Sequence, residues 1–186
     1  MIDHATRLTN KLYTLKARMT KERRLIHDWV SGNVTEQGIT YPSALLESAM
    51  REGLKEAEVY RPHPLGQPVA RNSISVRYAR EGVSIPPENI LLTPGTSQAY
   101  LYAFKLLAKP GDEILCPAPN YPLLDQLAEL AGVQLTSYPL TQNAKWSIDI
   151  PALARTITPR TRAIVLISPH NPTGHITTQA ELDSIG

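Results

Sequence analysis

The sequence predicts an α/β fold, a mostly parallel sheet flanked by helices and preceded by an amino-terminal helical arm. Two observations predict it. From about Val69 onward, stretches with helical spacing alternate with short apolar runs, the pattern of strands joined by crossover helices. The breaks between them hold Pro and Gly where helices should stop, as at Lys109, Pro110 and Gly111.

Residues 4–20 place Leu8, Leu12, Leu15 and Met19 at helical spacing, with Arg and Lys between them, which predicts an amphipathic arm. A turn-rich stretch from Ser31 to Ser43 follows. Ser43 is expected to cap a helix to about Glu56 that buries Leu45, Leu46, Met50 and Leu54. A Pro-rich segment, Tyr60 to Pro68, breaks the chain again. Expected strands are Ile90–Thr93, Glu113–Cys116, Gln134–Tyr138 and Ala163–Ser168. Expected helices are Val69–Glu81, Thr96–Ala108, Tyr121–Leu130, Ile150–Thr156 and one from Thr178 onward.

Composition narrows the function classes. The 186 residues are 42% hydrophobic and 19% charged with a formal net charge of +2, ordinary globular values. Seven basic residues, Arg7 to Arg24, crowd the first 25 positions with no interleaved aromatic platform or strongly apolar opposite face, so they read as a solvated helix face, not a nucleic-acid or membrane surface. The longest purely apolar stretch, Ala163–Ile167, is far below the roughly 20 residues of a membrane span. No secretory apolar region opens the chain, and the single cysteine fits a reducing, cytoplasmic setting. Cys116 ends an apolar run and reads as a core residue, not a nucleophile. No metal-ligand pattern stands out.

In open parallel sheets, ligands sit beyond the carboxyl ends of strands. Three such points carry unusual residues. After Thr93 come Pro94, Gly95, Thr96, Ser97 and Gln98, where a glycine precedes a helix whose first N–H groups, on Thr96, Ser97 and Gln98, would be unpaired. An anion such as a phosphate fits there; Thr96 as a plain N-cap is the simpler alternative. No G-x-G-x-x-G or P-loop lysine is present. After Cys116 a rigid Pro-Ala-Pro-Asn loop leads to Tyr121, which would either stack on a flat heteroaromatic ligand or merely pack the loop. After Ser168 come Pro169, His170, Asn171, Pro172, Thr173 and Gly174, which aim an Asn amide outward from a strand end or form a functionless Asn-Pro turn. His170 reads as an exposed loop histidine, with a general base as the alternative.

Together, TPGTSQAY (93–100), KPGDEILCPAPNYP (109–122) and SPHNPTG (168–174) resemble, in order and spacing, the fold-type I pyridoxal-phosphate (PLP) aminotransferases of class I/II. YRPHPLG (60–66), with Arg71 and Tyr78 behind it, is similar to that family's segment preceding the cofactor loop, and Gly32 and Asn33 to its substrate-side glycine turn. The resemblance implies residues 1–42 as arm and small-domain segment and 43–186 as the first part of the PLP-binding large domain, truncated. It also implies PLP as cofactor, with its phosphate held by Gly95, Thr96 and Ser97 beside Gln98. Tyr121 would stack on the ring, and Asn171 would bond its 3-oxygen. Tyr60 would reach the phosphate of the neighbouring subunit in a homodimer, and Gly32 and Asn33 would face the substrate. Amino acid and 2-oxo acid substrates follow. The chain ends 15 residues after Asn171, and none of its seven lysines resembles the family's Schiff-base lysine, so this stretch is expected to be the amino-terminal half and inactive alone. A PLP lyase or synthase of the same fold shares these residues, and a non-catalytic phosphate-binding or dimerisation module remains a further alternative.

Overall fold

The computed structural model describes residues 11–27, 32–121 and 123–186; residues 4–10 of the expected arm, with Arg7 and Leu8, and also Ser31 and Pro122, lie outside them. The chain divides into two compact units between Arg61 and Pro62, so the expected domain division at residue 42 falls inside the first. Within the first unit lie α1 (Lys11–Lys21) and α2 (Ser43–Ala57). Ser43 is the first helical residue and not the cap, a position taken by Pro42, which offers no side-chain acceptor. The expected burial of Leu45, Leu46, Met50 and Leu54 does not occur, since they are 48 to 66% exposed. Helical spacing marks a face suited to burial, but burying it needs a partner surface, and α2 has no buried residue.

The second unit contains α3 (Pro68–Arg80), a 3₁₀ turn (Pro87–Asn89), α4 (Thr96–Leu107), β1 (Glu113–Ala118), α5 (Leu123–Ala131), β2 (Gln134–Gln142), β3 (Trp146–Ile148), α6 (Ile150–Thr156), β4 (Thr161–Ile164) and α7 (Gln179–Ile185). The strands form one sheet in the order β3-β2-β1-β4, with β1 parallel to both β2 and β4 and only β3 antiparallel. Pairing runs from Glu113 opposite Gln134 to Ala118 opposite Pro139. On the other side of β1 the register shifts by one residue after Glu113. Beyond Ile164 the ladder continues, because the Val165 N–H donates to the Leu115 carbonyl at 2.8 Å.

Period-two alternation sorts β1 between two cores. Ile114 and Cys116 join Phe104, Leu124, Leu127, Ala128 and Ala131 under α4 and α5. Leu115 joins Tyr138, Ile148 and Leu153 on the opposite face. Both faces are covered, as a parallel sheet requires.

The expected strand Ile90–Thr93 is not a strand. The Leu92 N–H is taken by the Leu65 carbonyl at 3.0 Å, in the turn within the Pro-rich segment, and Pro86, Pro87 and Pro94 flank the run and lack the N–H a ladder needs. That turn is tightly fitted. Gly66 has φ +90°, and a Cβ placed on it would lie 2.6 Å from the Leu92 Cβ. Buried Arg71 ties the turn to the 3₁₀ segment by donating to the Gly66 carbonyl at 3.1 Å and the Pro87 carbonyl at 2.7 Å.

Candidate functional site at the carboxyl rim of the sheet

Because β1 and β4 are parallel, the loops that follow them leave the same rim of the sheet. Helix α4 also starts at that rim. It ends six residues before Glu113, with a turn in which the Lys109 N–H donates to Asp112 Oδ2 at 2.9 Å, so it runs antiparallel to β1. Its twelve residues span about 18 Å, close to the roughly 20 Å of a six-residue strand.

At the start of α4, Gly95 is in extended backbone (φ 176°, ψ 166°) and no side chain caps the helix. Gly95 holds the cap position and Thr96 is the first helical residue, so the plain N-cap alternative for Thr96 does not hold. A Cβ on Gly95 would meet nothing within 4 Å, leaving open space against the helix N-terminus. The Gln98 N–H, expected to be unpaired, instead donates to the Gly95 carbonyl at 3.1 Å, a 3₁₀-type bond that tightens the first turn. Gln98 keeps its side chain at the site's edge, its Nε2 donating to the Tyr102 hydroxyl at 2.5 Å. Thr96 is exposed and Ser97 half-buried.

Beyond β1, Asn120 Nδ2 donates to the Cys116 sulfur at 3.2 Å and holds the loop down. Cys116 itself is buried in the core, and burial pushes its thiol pKa up. Helix α5 begins at Leu123, two residues later than expected, since the residue before a proline is pushed out of helical geometry. The Tyr121 carbonyl accepts from Leu124 N–H at 3.0 Å, while its side chain is 47% exposed and free to present a ring face.

Beyond β4, the turn carrying Asn171 closes on itself. The Gly174 N–H donates to the His170 carbonyl at 2.6 Å, and the His170 N–H to the His175 carbonyl at 2.7 Å. Gly174 supplies the φ of +74° that the turn needs. Asn171 is exposed at its tip. His170 is not the exposed loop histidine expected, being only 3% accessible. The loop folds back and buries the ring, whose Nδ1 lies 2.8 Å from the Thr173 hydroxyl. Burial and then nearby His175 lower its pKa, opposed by the Pro119 carbonyl. Pro117, near the end of β1, and His170 line one small cavity, so the turn bearing Asn171 packs against the strand end from which the Tyr121 loop leaves.

Sequence reasoning missed Glu181, which organises the chain behind this turn. Its carboxylate accepts from the Ile148 N–H at 2.8 Å, the Thr178 N–H at 2.7 Å and the Thr178 hydroxyl at 2.9 Å, and pairs with His175 Nε2 at 3.1 Å. Burial alone would raise the carboxyl pKa, but the donors from Ile148 and Thr178, and His175, bring it below the usual value. The signal was present, because Thr178 followed three residues later by Glu181 is a capping box.

The remaining predicted residues belong to the first unit. Tyr60 is 90% exposed, Gly32 is exposed, and Asn33 Oδ1 accepts from the Thr35 N–H at 3.2 Å and its hydroxyl at 2.7 Å, a local turn. The loops bearing Tyr121 and Asn171 thus leave one rim of the sheet, and the helix that opens after Gly95 leads back along β1.

The sequence profile of aminotransferases of class I and II matches residues 28–186. The chain belongs to that family. It is 32% identical over 173 residues to an aspartate aminotransferase of Musicola paradisiaca, covering 90% of this chain and 42% of the relative. It is 30% identical over 183 residues to the glutamate-pyruvate aminotransferase AlaA of Escherichia coli, covering 94% and 45%. Among solved structures, an alanine aminotransferase from Pyrococcus furiosus superimposes with a TM-score of 0.75 at 31% identity, covering 92% of this chain and 44% of that one. An Escherichia coli aminotransferase gives 0.81 at 30%, covering 95% and 43%. The chain therefore spans less than half the length of the relatives it matches. Membership of the family and the mostly parallel α/β fold agree with what the sequence predicts. Among the described residues, no helix is long and apolar enough to cross a membrane.

Proposed function

We propose that the whole protein transfers an amino group between an amino acid and a 2-oxo acid, using PLP held at the carboxyl rim of this sheet. The observation that carries the reading is the helix N-terminus at Gly95, which no side chain caps and beside which the space is open. A phosphate fits that chemistry, since helix N-termini attract anions through their free N–H groups and dipole. Thr96 and Ser97 add hydroxyl donors there, and Gln98 flanks them. Tyr121, half exposed beyond β1, offers a face to the pyridine ring. Asn171, at the tip of its turn, donates its amide to the ring's 3-oxygen.

When bound, PLP supplies an electron sink for bonds at the substrate's Cα. The chain's own residues bind and orient it. From the first unit, Tyr60 reaches the phosphate held by the neighbouring subunit of a homodimer, and Gly32 and Asn33 face the substrate. The names of the relatives favour amino-group transfer over a lyase or synthase reaction. A cytoplasmic setting belongs to the same reading, supported by a lone cysteine kept as a buried free thiol.

The test is a PLP titration of the full protein followed by absorbance, with an assay of amino-group exchange between amino acids and 2-oxo acids. Saturable binding that inorganic phosphate competes for, weakened by Ser97→Ala, is expected. Absence of binding, or affinity untouched by Ser97→Ala and Tyr121→Ala together, would remove the reading.

A further inference from the structure

We propose that His170 is the positioning residue for Asn171: a neutral imidazole wedged between the Thr173 hydroxyl and the end of β1 at Pro117 fixes the turn bearing Asn171 relative to the loop bearing Tyr121. The proposal rests on the reading above in which those two residues grip one flat ring, but the positional claim concerns only the chain's own atoms.

The first observation is burial. His170 is 3% exposed, although Ser168, Pro169, Asn171 and Pro172 around it are exposed. The second is how the turn is bonded. The His170 backbone both accepts from Gly174 N–H (2.6 Å) and donates to the His175 carbonyl (2.7 Å), so the ring is anchored at the base of the turn.

The third is the arrangement of protons. Thr173 Oγ1 accepts the His175 N–H at 3.3 Å and lies 2.8 Å from His170 Nδ1, to which, on this proposal, it donates its own proton. A neutral imidazole that accepts at Nδ1 carries its hydrogen at Nε2. Nε2 is buried without a partner atom in hydrogen-bonding geometry, in a small cavity that Pro117 of β1 also lines. The imidazole therefore packs beside the strand end from which the loop to Tyr121 leaves.

Protonating Nδ1 would turn that acceptor into a donor and force the Thr173 hydroxyl proton to find another acceptor. The surroundings oppose it. His175 lies in the same loop, paired with Glu181 of α7. Tyr138 of β2 lines the small cavity beside His170, with its hydroxyl committed to the Val165 carbonyl at 2.8 Å. Pro117 and Ile148 complete that lining from β1 and β3 and carry no charge.

The experiment has two arms on the full chain. In the first, ¹⁵N NMR of the imidazole is followed with pH. The expected result is the Nε2–H tautomer, a midpoint below 6.5, the value of an unperturbed histidine, and backbone amides of Asn171, Gly174 and Tyr121 that move with that midpoint. A midpoint at or above 6.5, or a Tyr121 amide that ignores it, overturns the proposal.

In the second arm, PLP affinity is compared between about pH 5.5 and 7.5, the range of histidine titration, in wild type, His170→Phe and His170→Asn. Asn retains an acceptor for Thr173 but cannot titrate. We expect His170→Phe to weaken binding about tenfold, the scale of one buried hydrogen bond, and His170→Asn to restore most of it and remove part of the acid loss seen in wild type. Identical pH dependence in wild type and His170→Asn overturns the proposal. Wild type that binds no PLP at any pH would sink the proposed function instead, while the amide readout still decides whether His170 sets the turn.

Discussion

Glu113 at the start of β1 accepts the hydroxyl of Thr136, one strand away on β2, at 2.7 Å. Thr161 of β4 donates to the same carboxylate from the other side at 2.7 Å and Thr158 adds a third hydroxyl at 3.1 Å. A 3% exposed carboxylate thus ties three strands together at the rim opposite the candidate site.

Glu113→Ala leaves those hydroxyls without their acceptor and should lower stability by about 3 kcal/mol in urea unfolding. The Thr136 and Thr161 bonds, the largest causes, lower the carboxyl pKa below its ordinary 4.5. A depressed folded-state pKa means the stabilisation is fully present above the unfolded value and is lost as pH falls through the folded one. Glu113→Gln should therefore be less stable than wild type at neutral pH and show a shallower loss of stability below about pH 4.5. Parallel acid limbs in the two proteins would show that another carboxylate governs acid unfolding.

Gly66→Ala should cost about 3 kcal/mol, because a side chain is strained at φ +90° and its Cβ would meet Leu92 Cβ at 2.6 Å. The contact atom lies next to the Leu92 backbone, so adding Leu92→Ala relieves only part of the clash. Thermal melts of the single and double variants check both statements, and a Gly66→Ala protein as stable as wild type would contradict the tight approach.

Tyr121→Ala and Asn171→Ala should each weaken PLP binding by roughly 1 to 3 kcal/mol, the scale of a lost stacking face or buried hydrogen bond. Both side chains are exposed to solvent, so melting temperatures should hardly move. Unchanged affinity in both variants would strip those residues of their roles.

Glu181→Gln removes the charge that faces His175 and weakens its bonds to Ile148 and Thr178. A loss of about 2 kcal/mol is expected, larger at neutral pH than in acid, because the wild-type carboxyl pKa is lowered on folding. Hydrogen exchange at the Ile148 amide should quicken in the variant. Protection equal to wild type would mean that α7 does not hold β3 through Glu181.

Much of the fold was legible because its signals are local. Helix α6 occupies Ile150–Thr156 as expected, with Asp149 capping it, and β1 is the predicted strand extended by two residues. What failed depended on non-local partners. An apolar run at Ile90–Thr93 looks like a strand until Leu65 takes the N–H of Leu92. Strand β3 was missed, since three residues after the polar turn at Asn143–Lys145 carry almost no period. At the candidate site, the rim positions of Tyr121 and Asn171 follow from strand ends readable in the sequence, whereas Gly95 follows no strand and owes its place to the helix it opens. The burial of His170 is not readable there, because it arises where the folded-back turn packs beside Pro117 and Tyr138, on strands distant in sequence.

The placement of Cys116 has a practical side. The chain's sole sulfhydryl sits fully enclosed on the central strand, so an alkylating dye can mark it only in molecules whose sheet has come apart. Labelling speed would then clock the opening of the whole second unit, without a tag or an engineered probe.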